Sequence, residues 1–238
     1  YPESGGRDSD FFFMHRRGEE EIRETIEELV TGRLESYYDF VKGNGDIQVL
    51  TPTRKGGLGT ASLNEMLQSI INPASEELNE RKFGSKVFRE GDKVMQIRNN
   101  YQMEWQQLGR QSGRGIFNGD MGVINTIDND NAKLVVDFDG RFVTYDSEEL
   151  DELELAYAVT VHKSQGCEFP VVIMPISGFP PMLATRNLLY TAITRGKKLV
   201  ILVGSEERMH RMIDNNRIDE RYTGLEARLR EVDMGGIL

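Results

Sequence analysis

The sequence is poor in the residues that cross-link small secreted proteins and in the hydrophobic runs that cross membranes. Its 238 residues include a single cysteine, Cys167, which excludes an internal disulfide and a zinc site built from several cysteines. The longest apolar run, Phe169 to Ile176, is far shorter than the roughly 20 residues that a membrane helix requires. Aromatic residues make up 8% and charged residues 29%, a composition that excludes collagen, coiled coil and disorder. The first residues have no signal-peptide pattern, so we expect a soluble, cytoplasmic protein with no membrane partner.

A phosphate-binding loop of the type G-x-x-x-x-G-K-[ST] is also absent from the sequence. The nearest candidate, Gly56-Gly57-Leu58-Gly59-Thr60, lacks the lysine, and no strand-like segment ends in an acidic pair suited to Mg²⁺. We therefore expect that this polypeptide alone does not hydrolyse ATP. The three histidines are too scattered along the chain to suggest a metal site, so we predict no metal ligands.

Charge is unevenly distributed along the chain. The whole sequence has 29 basic and 39 acidic residues, a net charge of −10, which argues against a protein that coats nucleic acid indiscriminately. Residues 81–114 nevertheless contain 8 basic and 3 acidic side chains, and residues 160–198 contain 5 and 1, for net charges of +5 and +4. Residues 120–154 contain 2 basic and 11 acidic side chains, a net charge of −9. Two basic stretches fit a confined phosphate or nucleic-acid site, although folding can also disperse such clusters.

The hydrophobic pattern changes twice along the chain, which predicts an insertion. Strand and helix patterns alternate in both outer parts, as is typical of an α/β fold with a parallel sheet and helices on both faces. Short alternating strands with turn residues between them, including Asn118-Gly119, indicate a small antiparallel barrel in the middle. We predict that residues 1–83 and 154–238 form the two parts of the α/β domain and that residues 84–153 form the inserted barrel.

The most specific segment is Thr160-Val-His-Lys-Ser-Gln-Gly-Cys-Glu168. We predict that it leaves a strand and begins a helix, whose free N–H groups would form an anion site together with His162 and Lys163. Gly166 allows a tight turn or a close approach to a ligand, and Glu168 can accept hydrogen bonds from a ribose hydroxyl. A capped helix with a solvated lysine is the alternative interpretation.

A second segment runs from Arg186 to Lys198. Asn187, Thr191 and Arg195 are spaced four residues apart, which places them on one face of a predicted helix over residues 183–194. From the end of that helix, Arg195 could reach a phosphate as an arginine finger. A basic residue in a last helical turn is, however, also stabilised by the helix dipole without having any further role.

A third segment, Gln48-Val-Leu-Thr-Pro-Thr-Arg-Lys-Gly-Gly-Leu-Gly59, places polar residues after a buried strand. Thr51, Thr53 and Arg54 would lie at the carboxyl end of that strand, where open α/β sheets bind their ligands. A Gly-rich loop alone is a weak signal, and a flexible connector is the alternative.

Together these segments resemble the C-terminal motor domain of superfamily-1 helicases, most closely the RecD/TraA-type ATP-dependent DNA helicases. Residues 160–168 resemble motif V, Tyr190-Thr-Ala-Ile-Thr-Arg195 resembles motif VI, and Val49-Leu-Thr-Pro-Thr-Arg54 resembles motif IVa. In the middle of the chain, Gly91-Asp-Lys-Val-Met95, Arg98-Asn-Asn-Tyr101 and Phe117-Asn-Gly-Asp-Met-Gly122 are similar to the SH3-like barrel of these helicases. The resemblance implies a RecA-like sheet interrupted by an SH3-like barrel.

The same resemblance implies an ATP site and a single-stranded DNA site. Arg195 would be the catalytic residue on the γ-phosphate, Glu168 would hold the nucleotide sugar, and Gln165 and Gly166 would shape the ATP site. The residues implied in contacts with single-stranded DNA are Thr51, Arg54, Thr160, His162, Lys163 and Ser164, with Arg98, Asn99, Asn100 and Tyr101 on the barrel.

The first half of such a motor, which holds the Walker A and B residues and binds most of the ATP and Mg²⁺, has no counterpart in this sequence. The resemblance thus implies a C-terminal piece that works with the N-terminal motor domain of the same parent chain, with a nuclease complex as a further candidate partner. The parent would translocate on single-stranded DNA and unwind duplexes 5′→3′ in DNA repair or recombination. A non-enzymatic single-strand-binding module and an RNA helicase of the same superfamily remain open as alternatives.

Overall fold

The computed structural model describes residues 9–39, 44–107, 109 and 111–216. Its strands form a five-stranded sheet, a seven-stranded sheet and a separate two-stranded hairpin. The strands are β1 (Phe11–His15), β2 (Ile47–Thr51), β3 (Glu80–Phe83), β4 (Lys86–Arg89), β5 (Lys93–Gln96), β6 (Asn100–Gln107), β7 (Ser112–Ile116), β8 (Met121–Asp128), β9 (Lys133–Phe138), β10 (Arg141–Asp146), β11 (Leu153–Leu155), β12 (Ala158–Thr160), β13 (Phe169–Ile176) and β14 (Gly196–Gly204).

The helices lie in the two outer parts of the chain. They are α1 (Glu19–Glu28), α2 (Leu34–Tyr37), α3 (Thr60–Ile71), α4 (Arg186–Ile193) and α5 (Glu206–Asp214). A kinked segment, Leu29–Arg33, joins α1 to α2; Thr31 and Gly32 within it leave helical geometry, and Gly32 has a φ of +113°. Short 3₁₀ turns cover Asn44–Asp46, Ser147–Glu152 and Pro181–Leu183.

The five-stranded sheet is entirely parallel, with the strand order β1-β14-β13-β2-β12. Side chains alternate between its faces: Val171 and Ile173 of β13 pack with α1 and α3, whereas Val172 and Met174 pack with α4 and α5. Because both faces are covered, the strands are almost wholly apolar. The predicted α/β fold, with helices on both faces of a parallel sheet, is confirmed.

The seven-stranded sheet is antiparallel, has the order β11-β5-β8-β9-β10-β6-β7, and is inserted between α3 and β12. It has an apolar core of its own, which includes Phe138 and Tyr145, both fully buried. The Tyr145 hydroxyl donates to Gln96 Oε1 at 2.8 Å, which satisfies its polar end within that core. The hairpin β3–β4 spans the predicted boundary at residue 83 and contributes Phe88 to the same core. The division at residues 83 and 153 stays a prediction.

One part of the inserted sheet has only a weak strand pattern in the sequence. The chain from Arg98 to Arg114 is mostly polar, but the structure has the antiparallel hairpin β6–β7 there. Met103, which is buried, and Trp105, which packs against the core, are two residues apart and therefore lie on the same face of β6. Most of the other side chains of β6 are polar. Gly113 of β7 lies directly against the indole of Trp105, where a Cβ atom would clash.

A single buried carboxylate joins the inserted sheet to the α/β part. Asp92 has no exposed surface; its Oδ1 accepts from Asn72 Nδ2 at 2.7 Å and from the Tyr157 hydroxyl at 2.9 Å. Its Oδ2 accepts from Gln68 Nε2 at 2.5 Å and from the Arg89 backbone N–H at 2.7 Å. Burial raises the pKa of the Asp92 carboxyl, and the four hydrogen bonds oppose that rise. One side chain thus ties together α3, the turn before β5 and the segment before β12.

We expect Asp92→Ala to lower the free energy of unfolding by about 3 kcal/mol or more, because it leaves four donors without their acceptor. The measurement is urea-induced unfolding followed by circular dichroism, with the midpoint falling at an unchanged slope. Asp130→Ala, in an exposed turn between β8 and β9, is the matched control and should change stability by no more than about 0.5 kcal/mol. An Asp92→Ala midpoint equal to that of the control would contradict the assigned role.

Candidate functional site

The segment Thr160–Glu168 runs from the carboxyl end of β12 to the amino end of β13 in the parallel sheet. The prediction that a helix begins here is wrong: residues 161–166 form successive turns, and β13 begins at Phe169. Gly166 has a φ of +90°, a left-handed conformation that ends any helical path. Ser164 is fully buried and its Oγ donates to the Val161 carbonyl at 2.8 Å, so this side chain holds the turn together. The exposed residues of the loop are His162, Gln165, Gly166 and Glu168.

Arg195 follows α4 and folds back onto the end of that helix. Its Nε donates to the Thr191 carbonyl at 3.3 Å, and one terminal nitrogen donates to the Cys167 carbonyl at 3.1 Å. The other terminal nitrogen donates to Thr194 Oγ1 at 3.3 Å. A guanidinium has five N–H donors, so these contacts leave two for a ligand. The half-buried side chain is therefore oriented by backbone groups while part of it stays open.

These contacts bring the second segment directly against the first. The Phe169 N–H donates to the Arg195 carbonyl at 2.8 Å, so the two segments are joined through backbone as well as side chain. Glu168 lies beside this junction with its carboxylate exposed, paired with Lys197 at 3.0 Å. Burial raises the pKa of the Cys167 thiol, which the nearby Arg195 charge only partly offsets, so the thiol stays protonated and acts in packing. Arg195, Gly166 and Glu168 thus lie near one another at the amino edge of the sheet, where β13 and β14 begin.

A cluster of three charged side chains lies where the parallel sheet meets the inserted sheet. Glu154 lies on β11 and forms an ion pair with Arg54, which follows β2. It forms a second ion pair with Lys163, which follows β12, and the Lys163 Nζ atom lies 2.8 Å from Glu154 Oε2. Lys86 donates to the Leu153 carbonyl at 2.8 Å beside this cluster, and burial lowers its pKa while the Glu154 charge opposes the shift. Two of the predicted DNA-contacting cations are therefore adjacent and share one carboxylate.

The ionised state of Glu154 follows from this geometry. Burial alone would raise the pKa of its carboxyl. The hydrogen bond from Lys163 and the positive charges of Lys163, Arg54 and Lys86 outweigh that effect, so the pKa lies below its ordinary value. The carboxylate is consequently charged at neutral pH and neutralises part of the cluster.

Hydrogen bonds between the two ends of the Gly-rich loop after β2 hold its backbone in one conformation. The Thr51 side chain is buried and donates to the Leu58 carbonyl at 2.7 Å, and the Thr60 N–H donates to the Thr53 carbonyl at 3.0 Å. A Cβ atom on Gly59 would lie 2.5 Å from the Lys55 carbonyl oxygen, so only glycine allows the loop to close this tightly before α3. The loop therefore holds its backbone in place at the carboxyl end of β2.

The four predicted contact residues on the inserted sheet differ in what they offer. Arg98 is paired with Asp151 at 2.7 Å, Asn99 Oδ1 accepts from the Asn118 N–H at 2.9 Å, and Asn100 donates to Glu152 at 3.1 Å. Tyr101, in contrast, is 64% exposed and makes an edge contact with the Phe117 ring. The side chains of Arg98, Asn99 and Asn100 are thus engaged in contacts within the inserted sheet, whereas Tyr101 presents an exposed aromatic ring.

Sequence reasoning did not identify Glu154 and Phe117 as residues of these sites. Nothing in the sequence connects Glu154 with Arg54, because they are a hundred residues apart and meet only through the pairing of β11 with β5. Phe117 carried a usable signal, since it is an apolar residue directly before the hairpin signature Asn118-Gly119.

Two further structural facts bear on the site. Within residues 9–39, 44–107, 109 and 111–216, no group of three or more His, Cys, Asp or Glu side chains is placed to hold a metal ion. None of the helices in this described part is long and apolar enough to span a membrane.

The chain matches two families of helicase domains. Residues 63–138 match the SH3 domain of ATP-dependent RecD-like DNA helicases, and residues 155–203 match the UvrD-like helicase C-terminal domain. With the sheet order described above, these matches confirm the predicted fold class, a RecA-like parallel sheet interrupted by an SH3-like barrel.

Curated relatives extend this similarity. The ATP-dependent RecD2 DNA helicase of Deinococcus radiodurans is 38% identical over 163 residues, which are 68% of this chain and 21% of the relative. The RecBCD enzyme subunit RecD of Mycolicibacterium smegmatis is 31% identical over 183 residues, which are 77% of this chain and 29% of that protein. A solved structure of Bacteroides Pif1 bound to ssDNA aligns with 79% of this chain and 46% of its own, with 17% identity and a TM-score of 0.44. The chain thus spans less than a third of the length of these two curated relatives.

Proposed function

This chain has the C-terminal architecture of the superfamily-1 RecD-type helicases, and from that premise we propose that it is the second motor domain of an ATP-dependent DNA helicase. In this proposal the parent protein couples ATP hydrolysis to movement along single-stranded DNA and to duplex unwinding in the 5′→3′ direction. The present chain supplies one wall of the nucleotide cleft and part of the DNA track. The N-terminal motor domain supplies the Walker residues and most of the contacts to ATP and Mg²⁺.

The position of Arg195 is the observation that carries the proposal. Its guanidinium is fixed by three hydrogen bonds at the edge of the sheet and keeps two donors open beside Glu168 and Gly166. Phosphoryl transfer is accelerated mainly by positioning and by positive charge on the γ-phosphate oxygens, and a preoriented arginine supplies both. The exposed Glu168 carboxylate would exchange its ion pair with Lys197 for the ribose hydroxyls. Gln165 and the left-handed Gly166 would allow the loop backbone to approach the nucleotide closely.

The DNA track is proposed to follow the carboxyl ends of β2 and β12. Thr160 and His162 flank this edge, and Arg54 and Lys163 supply its positive charge. Thr51 and the buried Ser164 would act through the backbone that they hold in place. A phosphate reaching this edge must compete with Glu154 for both cations, so we propose that single-strand binding by the chain alone is weak and sensitive to salt.

Arg195→Ala in the full-length parent tests the role in ATP hydrolysis. We expect the DNA-stimulated rate to fall by about 10³-fold or more, because the developing charge on the γ-phosphate loses its donor, while single-strand affinity stays unchanged. Arg195→Lys should not restore the rate, since a lysine cannot reproduce the forked geometry. Arg211→Ala, in an exposed pair on α5, is the control. Turnover of Arg195→Ala within a few-fold of wild type would refute this role and favour a non-enzymatic binding module.

Glu154→Gln tests the proposed competition at the DNA track. Removing the carboxylate charge frees Arg54 and Lys163, so we expect single-stranded DNA to bind about three- to tenfold more tightly, with a steeper dependence on salt. Fluorescence anisotropy of a labelled oligonucleotide across a salt series measures both quantities. Glu104→Gln removes the same charge from an exposed pair with Arg114 on the inserted sheet and serves as the control. Equal or weaker binding by Glu154→Gln would contradict the competition.

The RNA-helicase alternative is tested with the parent protein and matched duplexes. We expect DNA duplexes to be unwound in preference to RNA duplexes of the same sequence. Equal or faster unwinding of RNA would favour the alternative, since discrimination between the two depends on the 2′-hydroxyl.

A further inference from the structure

Two aromatic rings stand exposed on the SH3-like barrel, away from its core. Tyr101 is 64% exposed and Phe117 is 41% exposed. Their ring centroids are 5.6 Å apart and their planes meet at 72°, an edge-to-face contact. Because the two rings are in contact, they form one continuous exposed apolar surface, and such surfaces often mark binding sites.

The backbone beneath the two rings holds them in place. The Phe117 N–H donates to Asp120 Oδ2 at 3.1 Å, and the Gly119 N–H donates to the Gln96 carbonyl at 2.9 Å, so the turn is tied to β5. Gly115 has a φ of +100°, and a Cβ atom there would lie 2.9 Å from Phe117 Cζ. The Phe117 ring therefore rests on bare backbone with Tyr101 at its side. Rings that are positioned in advance lose little conformational entropy when a ligand binds.

The surroundings of the rings favour a nucleobase over a protein partner. The residues next to them in the chain are amides and not apolar side chains: Asn100, Gln102 and Asn118. A protein interface of ordinary size needs a wider apolar centre than two rings can supply. Amides and aromatic faces are the groups that bind unpaired bases, the amides through base edges and the rings through stacking.

We propose that Tyr101 and Phe117 form a stacking site for an unpaired base of single-stranded DNA. The inference rests on the proposed function, because it places this base on the same strand that Arg54 and Lys163 would contact. Stacking supplies affinity without sequence preference, since every base has an aromatic face. It is also largely independent of salt, because it displaces no counterions from the phosphates.

The experiment measures binding of the 238-residue chain to an oligothymidine that carries one 2-aminopurine. We expect wild type to quench the 2-aminopurine fluorescence through stacking. Tyr101→Ala and Phe117→Ala should each weaken binding by between about 5-fold and 100-fold, abolish the quenching and leave the salt dependence unchanged. Tyr101→Phe keeps the ring and should keep both readouts. Val123→Ala removes another exposed apolar side chain, 47% exposed on the same sheet, and should bind like wild type.

The outcomes separate this inference from the proposed function. Single-strand binding that depends on salt, with Tyr101→Ala matching wild type in affinity and in quenching, would overturn the stacking site and leave the DNA track standing. A chain that binds no single strand at any salt concentration would overturn both. Loss of binding in Val123→Ala to the same extent as in Tyr101→Ala would also count against the stacking site. Thermal melts of every variant establish that the fold is intact.

Discussion

The arrangement of the proposed DNA track and of the proposed stacking site depends on how the inserted sheet is fixed to the parallel sheet, and the buried carboxylate of Asp92 is central to that attachment. Its four hydrogen bonds join α3, the turn before β5 and Tyr157. β5 in turn pairs with β11, which carries Glu154. The distance between Glu154 and the cations Arg54 and Lys163 is therefore set by a polar network in the interior. A buried network of this kind specifies one geometry, because any slippage would leave several donors unsatisfied.

Charge neutralisation within the chain connects the acidic and basic stretches of the sequence. The acidic stretch supplies Glu154 to the cluster with Arg54 and Lys163, and it supplies Asp151 to Arg98. At least one cation of each positive stretch, Arg98 in the first and Lys163 in the second, is therefore paired within this structure. Ion pairs between exposed side chains, such as Arg98 with Asp151, are individually weak, so a phosphate can displace them, but each displacement reduces the net gain from binding. An acidic chain of this kind is suited to binding that can be made and released repeatedly.

The parts that sequence could predict are those encoded by local pattern. The strands β2, β13 and β14 are nearly continuous apolar runs with helices between them, which indicates a parallel sheet covered on both faces. The helix expected after Thr160 does not form, because β13 begins at Phe169 and Gly166 adopts a left-handed conformation. Local helix signals do not show how soon the next strand must start. The contact between Arg195 and the Cys167 carbonyl likewise follows from the pairing of β13 with β14, which no local pattern encodes.

The proposed DNA track and the proposed stacking site differ in how binding at each would respond to salt. This difference would allow the barrel to retain a strand under conditions in which the phosphate contacts are weak. Cations that are already paired contribute little net attraction at physiological ionic strength, where the Debye length is about 8 Å. The exposed rings of Tyr101 and Phe117 have no ion pair to break, and the stacking proposed for them would not decline with salt. A strand that is bound weakly through phosphates on the parallel sheet would therefore be retained by a base on the barrel. Because the two parts are joined through the hydrogen bonds of Asp92, a base held on the barrel would also influence which phosphates lie over Arg54 and Lys163.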